Sequence, residues 1–231
     1  MIPSQLSNNL PVDRLSDLLN RLEEHANGQL MVFRGQACDW PLLPKIARQQ
    51  QGITAEQLST ERSILNSFKQ RLMKNSSNWP TNDWDWLTLL QHDRLPTRLL
   101  DWTGNPLAAL WFAIQNEKPD AQDAVLWAYQ PSKRDTIEHN SRNPLQLNRT
   151  RFFQPTRLTR RLAAQDGYFT VHASDSGLFI PLEDDEQRVG TLTKFVVPKT
   201  SFTRLRSSLE MCGIGRSSLF PDLGGVPSYL V

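Results

Sequence analysis

The stretch Asn105-Pro106-Leu107-Ala108-Ala109-Leu110-Trp111-Phe112-Ala113-Ile114 constrains the fold more than any other part of the chain. Asn is a good N-cap, because its side-chain oxygen accepts from the free N–H groups of the first turn. Pro suits the first helical position, where no N–H is needed. From Leu107 to Ile114 the helix is apolar on every side. A helix of that kind has no face to give to water, so it is expected to be buried all round, at the centre of the core.

The other segments read as elements arranged around it. Val12, Leu15, Leu18, Leu19 and Leu22 share one face of a helix near Val12–Glu24, which Asn27-Gly28 breaks. Leu30–Phe33 is a short apolar run and is expected as a strand, with Arg34-Gly35 at its end. Asp39–Lys45, with Pro41 and Pro44, must be irregular. A second helix is expected over about Thr54–Lys74, with Ile64, Leu65, Phe68 and Leu72 as its buried stripe, and a third near Asn82–His92. Ala124–Tyr129 reads as a central strand, and Tyr168–Val171 and Leu192–Val197 as further strands with an acidic turn, Glu183–Glu186, between them. Ser201 is placed to cap a last helix carrying Phe202, Leu205 and Leu209, and Gly213 to end it. Pro131 to about Thr150 is polar and is expected as a surface insertion. With no repeat and no clear linker, the expectation is a single α+β domain: a mixed or antiparallel sheet, a central buried helix and surrounding helices.

Composition excludes several classes. A chain of 231 residues with seven Trp and ten Phe can bury a core without disulfides and is not disordered. Cys38 and Cys212 lie far apart, with neither metal-ligand spacing nor a disulfide framework, so a reduced, cytoplasmic setting is expected and no metal. The longest apolar stretch, Pro106–Ile114, is too short for a bilayer, and the N-terminal residues lack the pattern of a secretory signal. A net charge of +2 does not by itself imply nucleic acid.

The densest chemistry lies in Gln91-His92-Asp93-Arg94-Leu95-Pro96-Thr97-Arg98-Leu99-Leu100-Asp101-Trp102-Thr103, just ahead of the apolar helix. Burying Arg98 and Asp101 there is costly unless they pair or meet a ligand. The helix start also favours an anion, so a phosphate is expected among Arg34, Gly35, Thr97, Arg98 and the amides near Asn105. The competing reading is a buried Arg98–Asp101 pair that only fixes a loop. His92 and Asp101 are candidates for acid–base work, and Gln165, beside Gly167, for holding a base or amide edge. His25, His139 and His172 are isolated.

Phe33-Arg34-Gly35-Gln36, Trp40-Pro41-Leu42-Leu43-Pro44, Gln91-His92, Leu95 to Thr103 and Pro106 to Ala113 together resemble the FRG-domain family, named for its Phe-Arg-Gly motif. Arg161–Phe169 and Leu219–Leu223 agree, so the resemblance runs from about residue 30 to 225. It implies an FRG domain over residues 30–231 after an N-terminal helical segment, residues 1–29, with a basic insertion at about 131–160. It also implies a bacterial, phage-associated setting of toxin, effector or phage-defence type. The family carries an aromatic residue and Gly after the His; here Asp93-Arg94 stand there, so a tight turn built on that Gly is expected to differ. The Arg-Gly closing a first strand is also similar to the opening of Arg-type ADP-ribosyltransferases. That likeness implies NAD as substrate, Arg34 on its phosphates, and a later Glu stabilising the ribose cation. The candidates for that Glu, Glu183, Glu186 and Glu210, lie in a turn and on a helix.

A second function class rests on charge. Residues 133–161 hold Lys133, Arg134, Arg142, Arg149, Arg151, Arg157, Arg160 and Arg161 against two acids, a net +6 that leaves −4 on the rest. With Phe152 and Phe153 free to stack on bases, this segment would serve a non-catalytic module binding nucleic acid or a protein. Nothing in the chain points to a membrane.

Overall fold

The computed structural model describes residues 11–25, 28–48, 55–73, 80, 82–115, 122–137, 143–155, 164–174 and 178–220. The helices are α1 (Leu15–His25), α2 (Lys45–Arg48), α3 (Ala55–Met73), α4 (Asp83–His92), α5 (Pro106–Ile114), α6 (Phe202–Met211) and α7 (Arg216–Leu219). The strands are β1 (Val32–Gln36), β2 (Leu99–Thr103), β3 (Ala124–Gln130), β4 (Arg151–Phe153), β5 (Gly167–Val171) and β6 (Thr191–Val197). They form one antiparallel sheet in the order β4-β5-β2-β1-β3-β6, so the architecture is α+β in a single domain.

Period-two alternation divides the strand side chains between two cores. On one face, Phe33, Leu126, Ala128, Phe195 and Val197 pack beneath α1, α5 and α6. Leu99, Phe153, Phe169 and Val171 continue that face beneath Trp84, Leu87 and Leu90 of α4 and Leu65 of α3. On the other face, Val32, Leu100, Trp102, Val125, Trp127, Tyr129, Phe152 and Tyr168 are covered by the loop residues Leu42 and Leu182.

Helix α5 lies directly on β1. A Cβ at Gly35 would sit 1.9 Å from the carbonyl oxygen of Ala109 and 2.7 Å from the amide nitrogen of Ala113. Only glycine lets the strand approach the helix backbone this closely. Asn105 caps α5 as expected, its Oδ1 accepting from the amides of Leu107 and Ala108. The helix is not buried all round, however. Ala108, Ala109, Leu110, Ala113 and Ile114 are buried, whereas Trp111 and Phe112 are partly exposed. Trp111 turns toward Phe220, and Phe112 lines a cleft.

Four further expectations change. The first strand runs on through Arg34 to Gln36, and the unassigned run Leu95–Thr103 contains β2. Ser201 precedes α6, but its hydroxyl donates to Asp13 Oδ1 at 2.6 Å instead of capping the helix. The segment 131–160 is not a surface insertion throughout. Leu147, Phe152 and Phe153 are buried, and Arg151–Phe153 forms the edge strand. The buried Asp135 carboxylate anchors this segment by accepting from the amides of Ser132 (3.1 Å), Val189 (3.1 Å) and Gly190 (2.6 Å).

Candidate functional site

The sheet is incompletely zipped at its centre. β1 and β3 pair over five residues, as do β2 and β5, but β1 and β2 pair only at Phe33 and Thr103. Beyond that point the strands part. A cavity of about 510 Å³ occupies the opening, walled by Arg34 and Gln36 of β1, Asp101 of β2, Thr88, Gln91 and His92 of α4, and Ala109 and Phe112 of α5.

Arg34 bridges the opening. Its Nη1 donates to the Asp101 carbonyl at 2.9 Å, giving a partner to a backbone group that the parted strands leave without a ladder bond. Its Nε donates to Gln36 Oε1 at 3.2 Å, and Gln36 Nε2 in turn donates to the Trp40 carbonyl at 2.6 Å. Residues i and i+2 of a strand share a face, which is why Gln36 can orient Arg34. Burial pushes the guanidinium down to about 10, against the pull of Asp101 and with the push of Arg48. It still carries its charge at neutral pH, in surroundings that favour an anion.

The polar residues of the Gln91–Thr103 stretch form a relay that ends at the cleft. Thr97 Oγ1 donates to Gln91 Oε1 at 2.6 Å, and Gln91 Nε2 donates to Asp101 Oδ2 at 2.9 Å. The same carboxylate oxygen lies 3.9 Å from Arg34 Nη1. Asp101 is the one carboxylate among the described lining residues, and it is open to solvent. His92 lines the cavity with its Nδ1 3.6 Å from Asp93 Oδ1, while its buried Nε2 has no hydrogen-bond partner.

Of the residues expected at the site, Arg34, Gly35, His92, Asp101 and Gln165 line the cavity, and Thr97, Arg98 and Asn105 do not. The expected sharing of one pocket by Arg34 and Arg98 is corrected. Arg98 is engaged by Glu61 of α3, with Nη2 and Nε each 2.8 Å from Glu61 Oε2 and its backbone amide 2.9 Å from Oε1. Neither the anion site nor the Arg98–Asp101 pair is therefore its role. Asn105 caps α5 with its own side chain, so the amides of Leu107 and Ala108 are engaged by that cap. Gly35 serves the contact with α5, and Gln165 Nε2 donates to the Leu219 carbonyl at 3.1 Å. Glu183, Glu186 and Glu210 lie away from the cleft; Glu183 accepts from the Leu42 amide at 3.1 Å.

The basic segment loses its expected stacking surface. Phe152 stacks on Tyr168 and Phe153 on Phe169, all in the core. Arg149 and Arg151 both donate to the Arg134 carbonyl. Arg157, Arg160 and Arg161, like His139, lie outside the described residues.

Residue-by-residue reading missed Lys45, Arg48 and Arg94, which line the cavity with Arg34 and make it cationic. Lys45 ends a stretch expected to be irregular and Arg48 lies just beyond it, whereas the structure places both on α2. Among the described residues, no cluster of three or more His, Cys, Asp or Glu could hold a metal ion, and no helix is long and apolar enough to cross a membrane.

No curated protein and no solved structure matches the chain. Residues 29–122, which supply every lining residue of the cleft except Gln165 and Phe169, match the FRG domain family.

Proposed function

We propose that the cleft binds a phosphate-bearing nucleotide and that the protein is an ADP-ribosyltransferase-like enzyme acting on NAD. The observation that carries this reading is Arg34, a half-buried guanidinium held by Gln36 and the Asp101 carbonyl where the central strands part. A guanidinium fixed in this way offers its remaining N–H groups to phosphate oxygens as parallel donors. Trp40 and Phe112 supply aromatic surface in the same cavity for a base.

In this reading Asp101 takes the part of the stabilising carboxylate. The bond from ribose C1′ to the nicotinamide nitrogen breaks, and its electron pair leaves with nicotinamide. The acceptor's oxygen or nitrogen then bonds to C1′ and gives up its proton. A carboxylate facing C1′ stabilises the positive charge that develops on the ribose, and His92 serves as the base that takes the proton. The toxin, effector or phage-defence setting belongs to the same proposal.

Incubation of the full chain with NAD, followed by chromatography for nicotinamide and ADP-ribose products, tests it. Wild-type protein is expected to release nicotinamide, and Arg34→Ala and Asp101→Asn to lose that activity while remaining folded. No product, together with salt-sensitive association lost on charge reversal within residues 149–161, would replace it with the binding-module reading.

A further inference from the structure

The cationic lining of the cleft has two levels. Arg34 lies deep, and Lys45, Arg48 and Arg94 are exposed along the rim. Two of the rim side chains are anchored to backbone: Lys45 Nζ donates to the Arg94 carbonyl at 2.6 Å, which ties α2 to the turn after α4, and Arg48 Nε donates to the Leu43 carbonyl at 2.7 Å. The acid facing this group from within the cleft is Asp101, already engaged by Gln91. Asp93, on the neighbouring turn, lies against His92.

Arg94 is held in an unusual way. Its φ is 63°, in the left-handed region that side chains with a Cβ rarely adopt. It stands just past α4, where its amide bonds to the Gln91 carbonyl at 2.9 Å and the Leu95 amide to the Leu90 carbonyl at 3.2 Å. That is the closure of a helix end in which glycine is the unstrained residue. Arginine at such a position strains the backbone, and its side chain makes no hydrogen bond or ion pair with any described residue. What it does contribute is a charge on the rim of the cavity.

Resting on the nucleotide reading above, we infer that the cleft holds its ligand at two phosphate stations, Arg34 within and Lys45, Arg48 and Arg94 at the rim, and that Arg94 makes it selective for diphosphates over monophosphates. A single phosphate engages one station; a pyrophosphate spans both. Arg94 is then a specificity residue, kept in a strained conformation because the rim needs its charge.

Calorimetric titration of the full chain with ADP and with AMP, at about 0.15 M salt to screen distant charges, tests the inference. ADP is expected to bind at least about tenfold tighter than AMP. Arg94→Gly is expected to weaken ADP about tenfold and AMP less than about twofold, the scale of one charge-assisted hydrogen bond. Arg94→Lys, which keeps the charge and the strain, should retain part of the preference. Equal binding of ADP and AMP to the wild type, or equal loss of both in Arg94→Gly, would overturn the second station and leave the nucleotide reading standing. No heat from either ligand at millimolar concentration would overturn both.

Discussion

Arg98 and Glu61 form a buried ion pair whose partners are only 3% and 0% exposed, with Nη2 2.8 Å from Oε2. Glu61 also accepts from the Arg98 backbone amide, so one carboxylate holds both the side chain and the start of β2. The pair joins α3 to the sheet. Removing one partner strands a charge in the interior, which costs about 3–5 kcal/mol. Glu61→Ala is therefore expected to lose about that much stability in urea unfolding. Glu61→Leu combined with Arg98→Met should recover much of it, since two apolar side chains leave no charge behind. A loss within 1 kcal/mol for Glu61→Ala would mean that water reaches the pair.

Gly35→Ala tests the seat of α5. The added methyl meets backbone, not the flexible end of a side chain, at 1.9 Å from the Ala109 oxygen. The helix must lift or β1 must shift. Overpacking of this kind costs about 1–3 kcal/mol or more. Because Gly35 and Ala109 both line the cleft, the variant is expected to lose ligand affinity as well as stability. An unchanged denaturation midpoint would show that α5 slides freely over the sheet.

How far this site could be read from the sequence depended on whether its cause was local. The cap at Asn105 and the presence of a helix after it follow from neighbours in the chain, whereas the run of β1 past Phe33 through Arg34 to Gln36 follows from its pairing with β3. The partner of Arg98 was not legible, because it lies 37 residues away on another helix. A weak signal did exist: Glu61 stands four residues before Leu65, on the buried stripe of α3, where an isolated acid calls for a cation. Phe152 and Phe153 were misread as exposed because the residues before them are polar, whereas the edge strand turns both rings into the cores. The parting of β1 from β2 has no signature in either strand. It emerges only from the register of the whole sheet.

Acid should weaken the protein through His172. The ring is fully buried on β5's end with Nε2 3.3 Å from Thr170 Oγ1. Burial pushes it down to about 3, with Arg34, Arg48 and Arg98 adding repulsion to any charge placed there. In the unfolded chain it titrates near 6.5, as an ordinary imidazole does. Between those values the unfolded state binds a proton that the folded state refuses, so stability rises with pH across the window and is fully present above about 6.5. Lowering the pH from 6.5 to 4.5 should cost about 2–3 kcal/mol from this group, at 1.36 kcal/mol per unit. Urea unfolding at both pH values is expected to show a smaller loss for His172→Gln. Equal losses in the two proteins would mean that the carboxylates alone carry the acid sensitivity.

Arg94 has an internal control in Gly213. At the end of α6 the Gly213 amide bonds to the Glu210 carbonyl and the Ile214 amide to the Leu209 carbonyl, repeating the pattern after α4. The φ values are 72° for Gly213 and 63° for Arg94, so one helix end uses the residue suited to the conformation and the other does not. The left-handed conformation costs a residue with a Cβ about 1–2 kcal/mol. Arg94→Gly is thus expected to raise stability by about 1 kcal/mol, or about 2–4 °C in melting temperature for a chain of this size. Gly213→Ala should lower it by a similar amount. A fall in melting temperature for Arg94→Gly would mean that the arginine side chain itself holds the turn, and would remove the case that its strain is tolerated for the sake of the cleft.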